Sequence, residues 1–166
     1  MSATPAAIVR SRIVGSGTAD PAALTANPAN WRTHPPDQVA ALGGVLDRVG
    51  WVQTVIVNKT TGRLVDGHLR VRLAVDRGER SIPVTYVELS EAEEGLVLAM
   101  LDPIAAMAGA EDGLLASLLG GLDDDARMLA ELAHPPVEQS FPRYDEDAAD
   151  KVVMHECPNC QHRWPA

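Results

Sequence analysis

The chain has 166 residues and a formal net charge of −9, and 46% of its residues are hydrophobic but only 4% are aromatic. This length supports one domain with an aliphatic core and a tail, and the charge excludes a protein whose whole surface is cationic. Arginines are concentrated in residues 8–80, whereas most acidic residues lie in 88–150. A polyanionic ligand would therefore need a local basic patch in the N-terminal half.

No membrane-spanning or secretory segment is predicted. No run approaches the roughly 18 apolar residues of a membrane span, and Arg10 and Arg12 precede no apolar h-region. The two cysteines, Cys157 and Cys160, form a single C-x-x-C, which is more typical of a metal knuckle in a reducing compartment than of a disulfide framework. We therefore expect a cytoplasmic protein with no membrane partner.

The first predicted elements are a strand, a helix and a hairpin. A short strand over 6–14 ends in a turn at residues 15–17, which read Gly-Ser-Gly, and a proline-broken loop follows. Apolar residues at helical spacing predict a helix over 37–49, which Gly50 stops. Two β-branched runs, 52–57 and 63–65, flank a turn containing Gly62 and predict a β-hairpin.

The next predicted elements are a helix, a strand and three further helices. Residues 68–77 alternate as a strand would, but their i,i+4 apolar pairs and strong helix formers favour a helix. A strand over 81–89 carries Pro83 near its start, as an edge strand tolerates. Ser90 and Glu93 form a capping box that opens a helix through about Leu101. Two more helices are predicted over about 111–120 and 123–133.

The order of these elements predicts an α+β fold: a small domain over 6–103 and a helical appendage over 104–133. An acidic, proline-rich linker over 134–152 and a tail over 153–166 follow.

Three segments carry a resemblance to a known family. They are NPANWRTHPPDQVAAL, GWVQTVIVNKTTGRLVDGHLRVRLA and IPVTYVELSEAEE. In this order and spacing, over roughly residues 8–103, they resemble the ParB/sulfiredoxin-like superfamily. They are most similar to the ParB-like N-terminal ("ParB-like nuclease") domains found in phages and beside DNA methylases. The resemblance implies a small mixed sheet with packed helices, and the 112–133 segment looks like the helical continuation of this subgroup.

The resemblance also implies a phosphate-binding pocket at the strand–turn–helix around Gly67. Glycine allows close approach of a phosphate, and the helix N-terminus offers unpaired N–H groups. Arginines can add charge-assisted, bidentate contacts. Asn27 and Asn30 would brace the preceding loop, and Gln53 matches a glutamine that precedes the strand in partition proteins. The implied phosphate- or nucleotide-binding residues are Asn30, Arg32, Gln53, Gly67, His68, Arg70 and Arg72.

Departures from the family limit what the resemblance implies. His68 stands where sulfiredoxins have a nucleophilic cysteine, which excludes thiol chemistry at this position. Partition proteins, which are CTP-dependent clamps, have Gly-Glu-Arg-Arg here, and this chain lacks the glutamate. The 104–133 segment holds a single arginine, Arg127, so we do not expect it to bind the DNA major groove.

Free-serine kinases of the same fold are more similar at the turn, with Asp-Gly-His followed by an arginine. Asp66 and His68 are therefore the candidate catalytic residues. In an ATP-dependent phosphotransferase, Asp66 would hold Mg²⁺ or orient the attacking hydroxyl, and His68 would assist. The cofactor expected for the chain is CTP or ATP with Mg²⁺. In a nuclease, both would hold a metal that activates water.

The tail contains a second group of candidate ligands, in an H-x-C-x-x-C-x-H pattern. His155, Cys157, Cys160 and His162 supply the nitrogen and sulfur donors that Zn²⁺ prefers. Four donors within eight residues are unusually compact. A site completed by a partner chain, or a remnant that binds no metal tightly, remain alternatives.

Three functions follow from these patterns. The first is a ParB-like protein that binds a nucleotide or DNA phosphates in DNA modification, segregation or regulation, encoded by a phage or mobile element. The second is an enzyme of the same fold, either a phosphotransferase or a metal-dependent nuclease. The third is an adaptor that docks a partner through its tail. The expected partners are a nucleotide or DNA, a DNA-modification protein and a second copy of the chain.

Overall fold

The computed structural model describes residues 9–134, 154–156 and 160–165, which belong to two compact units divided after residue 135. The first unit is a four-stranded sheet with helices. Its strands are β1 (Ile13–Ala19), β2 (Val55–Asn58), β3 (Leu64–Asp66) and β4 (Ile82–Val87). Its α-helices are α1 (Pro36–Val49), α2 (His68–Asp76), α3 (Glu91–Ala106), α4 (Asp112–Gly120) and α5 (Asp124–Ala133).

The sheet is mixed, with strand order β1-β4-β2-β3. β4 pairs antiparallel with β1 and parallel with β2, whereas β2 and β3 form the predicted antiparallel hairpin. Gly62 adopts φ 72° in the hairpin turn, a conformation that L side chains disfavour. The predicted α+β class with a small mixed sheet is confirmed.

The expected turn at residues 15–17 is wrong. This Gly-Ser-Gly segment lies inside β1, where it pairs with Val84, Thr85 and Tyr86 of β4. Glycine weakens a strand in isolation, and here the ladder with a distant segment overrides that local tendency. The first strand therefore ends later than the sequence predicts.

The expected edge position of the Pro83 strand is also wrong, because β4 lies between β1 and β2. Pro83 is opposite Thr18 of β1, but the parallel ladder with β2 begins one residue later, at Val84. Since proline cannot donate to a ladder, its place just before that ladder begins explains why a central strand tolerates it.

The segment over 68–77, which was ambiguous between helix and strand, forms α2. Leu69, Val71, Leu73 and Ala74 are buried on it. The i,i+4 pair Leu69 and Leu73 is thus buried, whereas Val75, the partner of Val71 at this spacing, is exposed. The core that α2 helps to cover is aliphatic, as the low aromatic content predicts. Its most buried members are Val55, Leu64, Ala74, Ile82 and Val84.

α3 begins with the predicted capping box. Glu93 N–H donates to Ser90 Oγ, and the Glu93 carboxylate accepts from Ser90 N–H at 2.8 Å. The helix continues past the predicted end and contains Pro103. In the described ranges, no helix combines the length and apolar character needed to cross a bilayer.

A buried carboxylate on α3 joins three parts of the unit. Glu94 is 3% exposed and accepts hydrogen bonds from Asn27 Nδ2 at 2.8 Å, Asn58 Nδ2 at 2.7 Å and Thr61 Oγ1 at 2.5 Å. Asn27 lies in the loop before α1, Asn58 ends β2 and Thr61 lies in the hairpin turn. We call these four residues the Glu94 network. It fixes the loop and the hairpin against α3.

The side chain of Asn58 also binds the backbone that leads from β4 to α3. Its Nδ2 donates to Leu89 O at 3.0 Å, and its Oδ1 accepts from Leu89 N–H at 3.0 Å. The end of β2 is thereby tied to the start of α3, and a fully buried amide has partners for both its donor and its acceptor atoms.

α4 and α5 follow α3 in the segment for which a helical appendage was predicted. Asp123 caps α5 by accepting a hydrogen bond from Ala126 N–H at 2.9 Å, and it also pairs with Arg48 of α1. α5 packs closely against α1, because a Cβ added at Gly44 would overlap the side chain of Leu129. The glycine in α1 therefore has a packing role.

The second unit contains two described strands, β5 (Met154–Glu156) and β6 (Arg163–Pro165). They pair antiparallel, with His155 opposite Trp164. The predicted linker from residue 135 onward and Cys157 lie outside the described residues.

The Glu94 network predicts a large effect of one isosteric change. Glu94→Gln turns one carboxylate oxygen into a donor that faces other donors, so we expect the free energy of unfolding to fall by about 1–3 kcal/mol. Glu91→Gln, on the exposed first turn of the same helix, should change it by less than about 0.5 kcal/mol. Urea denaturation of both variants measures this, and equal effects would contradict the network's role.

The same carboxylate predicts a pH dependence of stability. Burial raises the pKa of Glu94, but hydrogen bonds from Thr61, Asn58 and Asn27, together with the nearby guanidinium of Arg63, outweigh it and leave the pKa below the ordinary 4.5. Because the unfolded chain then takes up the proton first, the stabilisation is complete above about pH 4.5 and is lost as the pH falls through the folded-state pKa. The difference in unfolding free energy between the native chain and Glu94→Gln should shrink between pH 7 and pH 3. A constant or growing difference would contradict this.

Candidate functional site

A cavity of about 230 Å³ opens where β3 meets α2. Its walls come from the loop before α1, from α1 itself, from the segment before β2, from the β3–α2 turn and from α3. The lining residues are Asn30, Arg32, His34, Gln38, Leu42, Gln53, Asp66, Gly67, His68, Leu69, Arg70 and Asp102.

The structure brings all but one of the predicted phosphate-binding and catalytic residues to this one cavity. They are Asn30, Arg32, Gln53, Asp66, Gly67, His68 and Arg70. Arg72 is not among the lining residues and is exposed on α2. Two residues along a helix rotate a side chain by about 200°, so Arg70 and Arg72 cannot share one face.

Gly67 is the N-cap residue of α2 and shapes the cavity floor. Its φ of 91° lies in the left-handed region, and an added Cβ would approach Val55 Cγ2 at 3.1 Å and Val55 Cα at 3.3 Å. Only glycine fits this turn without strain. The first N–H groups of α2 have no partner within the helix, so this end presents donors and a partial positive charge. Such a helix end favours an anion.

Arg70 is held in the cavity wall by three groups. Its Nη2 donates to Asp66 Oδ2 at 2.7 Å and approaches Thr54 O at 3.5 Å, while its Nη1 donates to Gln53 Oε1 at 2.7 Å. These contacts define the direction of the guanidinium plane. Gln53 and Arg70, which were both predicted to bind phosphate, are thus hydrogen-bonded to each other.

Arg32 connects the loop to two carboxylates through a single nitrogen. Its Nη1 lies 2.6 Å from Asp102 Oδ2 and 3.8 Å from Asp66 Oδ1. The Nε–H groups of Arg32 and Arg70 are buried and have no acceptor within the described part of the chain. A buried donor without a partner is costly, and an oxyanion entering the cavity is a group that could supply acceptors.

His68 is a hydrogen-bond acceptor in this structure. The Asn27 N–H donates to His68 Nε2 at 3.3 Å, which places the proton of the neutral ring on Nδ1. Burial lowers the pKa of His68 below the ordinary 6.5; the neighbouring guanidinium of Arg32 adds to this effect, and Asp66 opposes it. At neutral pH the ring therefore offers a hydrogen bond rather than a positive charge.

The charges around the cavity are balanced. Two arginines face two aspartates, so the formal charges of these four side chains cancel. An anion would therefore have to compete with Asp66 and Asp102 for the guanidinium groups. The arrangement is chemically suited to exchange an internal carboxylate partner for an external phosphate.

The loop that carries Arg32 is braced largely as predicted. Asn27 Oδ1 accepts from Ala29 N–H at 3.0 Å, and Asn27 O accepts from Asn30 N–H at 3.0 Å. Trp31 adds a further anchor, since its Nε1 donates to Leu98 O at 3.2 Å. The predicted hydrogen bond from a side chain to the backbone of the loop is therefore present for Asn27.

Three polar lining residues were missed by sequence reasoning: His34, Gln38 and Asp102. His34 Nδ1 and Gln38 Oε1 are 2.9 Å apart, and their i,i+4 spacing at the start of α1 was a usable signal. Asp102 lies beyond the predicted end of α3, so only the long-range contact with Arg32 identifies it.

The tail gives no test of the predicted zinc site. His155, Cys160 and His162 are exposed, and Cys157 lies outside the described residues. Within the described ranges, no three His, Cys, Asp or Glu side chains cluster as a metal site would require. Zinc binding by the tail stays a prediction.

Comparison with known proteins supports the fold. No family model matches the sequence, and no curated protein matches it significantly. The C-terminally truncated chromosome-partitioning protein ParB from Caulobacter crescentus, solved with CTP-γ-S, is 23% identical with a TM-score of 0.51 over 64% of this chain and 63% of that one. A Pnob8-like ParB-N domain is 14% identical with a TM-score of 0.44 over 72% of this chain and 62% of that one. The chain therefore spans just under two thirds of the first protein's length and shares its fold.

Gly67 gives a direct test of the cavity floor. Gly67→Ala should lower the free energy of unfolding by about 1–3 kcal/mol, because it adds left-handed strain and contacts with Val55. Gly62→Ala is the matched control, since Gly62 also has positive φ but nothing within 4 Å of an added Cβ. Thermal or urea denaturation should show the smaller loss for Gly62→Ala. A Gly67→Ala protein as stable as the native chain would contradict the assignment.

Proposed function

We propose that this chain is a ParB-like protein that binds a nucleotide or DNA phosphates and acts in DNA segregation, modification or regulation. The observation that carries the proposal is the meeting of Arg32, Arg70 and the N-terminus of α2 at one cavity. The fold shared with a chromosome-partitioning protein solved with a CTP analogue supports it. A phage or mobile-element origin, a DNA-modification partner and a homodimer belong to the same proposal.

In this proposal the phosphate replaces carboxylates as the partner of the arginines. Phosphate oxygens would accept from the first N–H groups of α2 and from the guanidinium groups of Arg32 and Arg70. Mg²⁺ would enter with the phosphates of CTP or ATP and neutralise part of their charge. Asp102 is 53% exposed and would be released by Arg32, which makes it the more available carboxylate for the metal.

A second candidate function is phosphotransfer, because Asp66 and His68 flank Gly67 in the same cavity. Asp66 would orient the attacking hydroxyl or hold Mg²⁺. His68 Nε2 is occupied by the Asn27 N–H, so only Nδ1 can exchange a proton with a ligand. A metal-dependent nuclease is less favoured, since the described residues offer no cluster of three or more metal-binding side chains.

Arg70→Ala and Arg72→Ala form a matched pair for testing the site, since both remove one charge from the same helix. Arg70→Ala should weaken binding of CTP, ATP or short DNA by about tenfold to a hundredfold, the cost of losing charge-assisted hydrogen bonds. Arg72→Ala should change it by about twofold or less, because Arg72 does not line the cavity. Calorimetric titration of the full chain, with and without Mg²⁺, measures both.

The outcomes separate the candidates. No binding of any of these ligands by the native chain would overturn both functions. Equal losses in the two variants would show that only the overall charge matters. Binding without product favours the first candidate. Transfer or hydrolysis products that disappear with Asp66→Asn, while binding persists, favour the second.

A further inference from the structure

Asn27 lies in the loop before α1 and does not line the cavity, yet both its backbone and its side chain are hydrogen-bonded to other parts of the chain. Its side chain donates to Glu94 Oε1 at 2.8 Å and accepts from Ala29 N–H at 3.0 Å. Its backbone N–H donates to His68 Nε2 at 3.3 Å, and its carbonyl oxygen accepts from Asn30 N–H at 3.0 Å. The residue therefore joins a buried carboxylate to two walls of the cavity.

Burial turns these bonds into a constraint on position. Asn27 is 4% exposed and Glu94 is 3% exposed. A buried donor that loses its acceptor is costly, so the side chain of Asn27 cannot leave Glu94 without a penalty, and the backbone of this residue is held in place. The two residues that this backbone contacts, Asn30 and His68, line the cavity, and Arg32 follows in the same loop.

The bond to His68 also fixes the ring of a cavity residue. The hydrogen bond made by one nitrogen of a neutral imidazole decides whether the other nitrogen carries the proton. Because Asn27 N–H donates to Nε2, the proton stays on Nδ1, which leaves Nδ1–H as the donor for a ligand. Without the bond from Asn27, both tautomers of His68 become accessible.

We propose that Asn27 is a positioning residue of the cavity. Through it, the buried carboxylate of Glu94 holds the ring of His68, and the loop that carries Arg32, in the arrangement that binds phosphate groups. The role in phosphate binding rests on the proposed function, whereas the effect on the His68 ring exists without any ligand. Asn27 acts through its neighbours, since it does not itself line the cavity.

Asn58 provides a matched control. It is also a buried asparagine whose Nδ2 donates to Glu94, at 2.7 Å, but its other side-chain hydrogen bonds join the backbone of Leu89 and Thr60. Neither of these residues lines the cavity. The change to alanine removes one hydrogen bond to Glu94 at either position, and only Asn27→Ala should also alter the cavity.

The first measurement needs no ligand. Nitrogen-15 NMR of the histidine rings in the full chain, at about pH 8 so that the rings are neutral, identifies the tautomer of His68. The native chain and Asn58→Ala should both show the Nδ1–H tautomer, and Asn27→Ala should show a mixture of the two tautomers. An unchanged His68 signal in Asn27→Ala, or the same change in Asn58→Ala, would overturn the proposal.

The second measurement is calorimetric titration of these proteins with inorganic pyrophosphate. Asn27→Ala should weaken binding about tenfold, because residues that orient binding groups commonly have effects of this size. Asn58→Ala should weaken it by less than about twofold. Equal losses would contradict a specific role of Asn27. If the native chain does not bind pyrophosphate, that result counts against the proposed function, while the His68 signals still decide whether Asn27 positions the ring.

Two milder variants keep the comparison decisive if an alanine variant does not fold. Asn27→Ser keeps a hydroxyl that can accept from the loop backbone but loses the amide that donates to Glu94. Thr61→Val removes another hydrogen bond to Glu94 with little change of side-chain shape. Urea denaturation checks that both are folded. Asn27→Ser should change the His68 signal and Thr61→Val should not; a similar change in both would refute the assignment to Asn27.

Discussion

The buried carboxylate of Glu94 is the constraint on which the rest of the first unit depends. It is the common acceptor for side chains from the loop before α1, the end of β2 and the hairpin turn. A charge at 3% exposure would be strongly destabilising without partners, and these donors supply them together with Arg63, whose Nη1 lies 3.8 Å from Glu94 Oε1. Asn27 connects Glu94 to the cavity. Its side chain donates a hydrogen bond to Glu94, and its backbone N–H donates one to His68. The fold and the site therefore share one hydrogen-bond network.

The cavity contains two arginines whose hydrogen-bond donors are only partly paired with acceptors. Asp66 lies within ion-pair distance of both Arg32 and Arg70, and Asp102 shares the Nη1 of Arg32. These carboxylates hold the guanidinium groups in place by charge-assisted contacts within the chain. A neutral His68 beside them adds a hydrogen bond without adding to the repulsion between cations. The two arginines are thus held at the cavity while the charge of the four paired side chains is balanced.

Sequence reasoning succeeded where local pattern and long-range packing agree. α2, the capping box of α3 and most of the cavity residues were predictable, since glycine, helix spacing and the family resemblance all mark the same turn. β1 was misplaced because the glycines at positions 15 and 17 read locally as a turn, and only pairing with β4 makes them a strand. Arg72 was assigned to the site because the prediction did not consider that side chains two residues apart on a helix point to nearly opposite sides. Asp102 was missed because its role depends on an ion pair with a residue 70 positions earlier.

The central claim is that an anion engages Arg32 and Arg70 together at the start of α2. The most direct measurement is the Nε–H signals of the arginines by NMR, during titration of the full chain with CTP and Mg²⁺, ATP and Mg²⁺, or short duplex DNA. We predict that the signals of Arg32 and Arg70 shift in parallel and saturate, because their buried Nε–H groups lack acceptors within the described part of the chain. The Arg72 signal should stay in place. Shifts confined to Arg72 and other exposed arginines, or no shift with any of the three ligands, would contradict it.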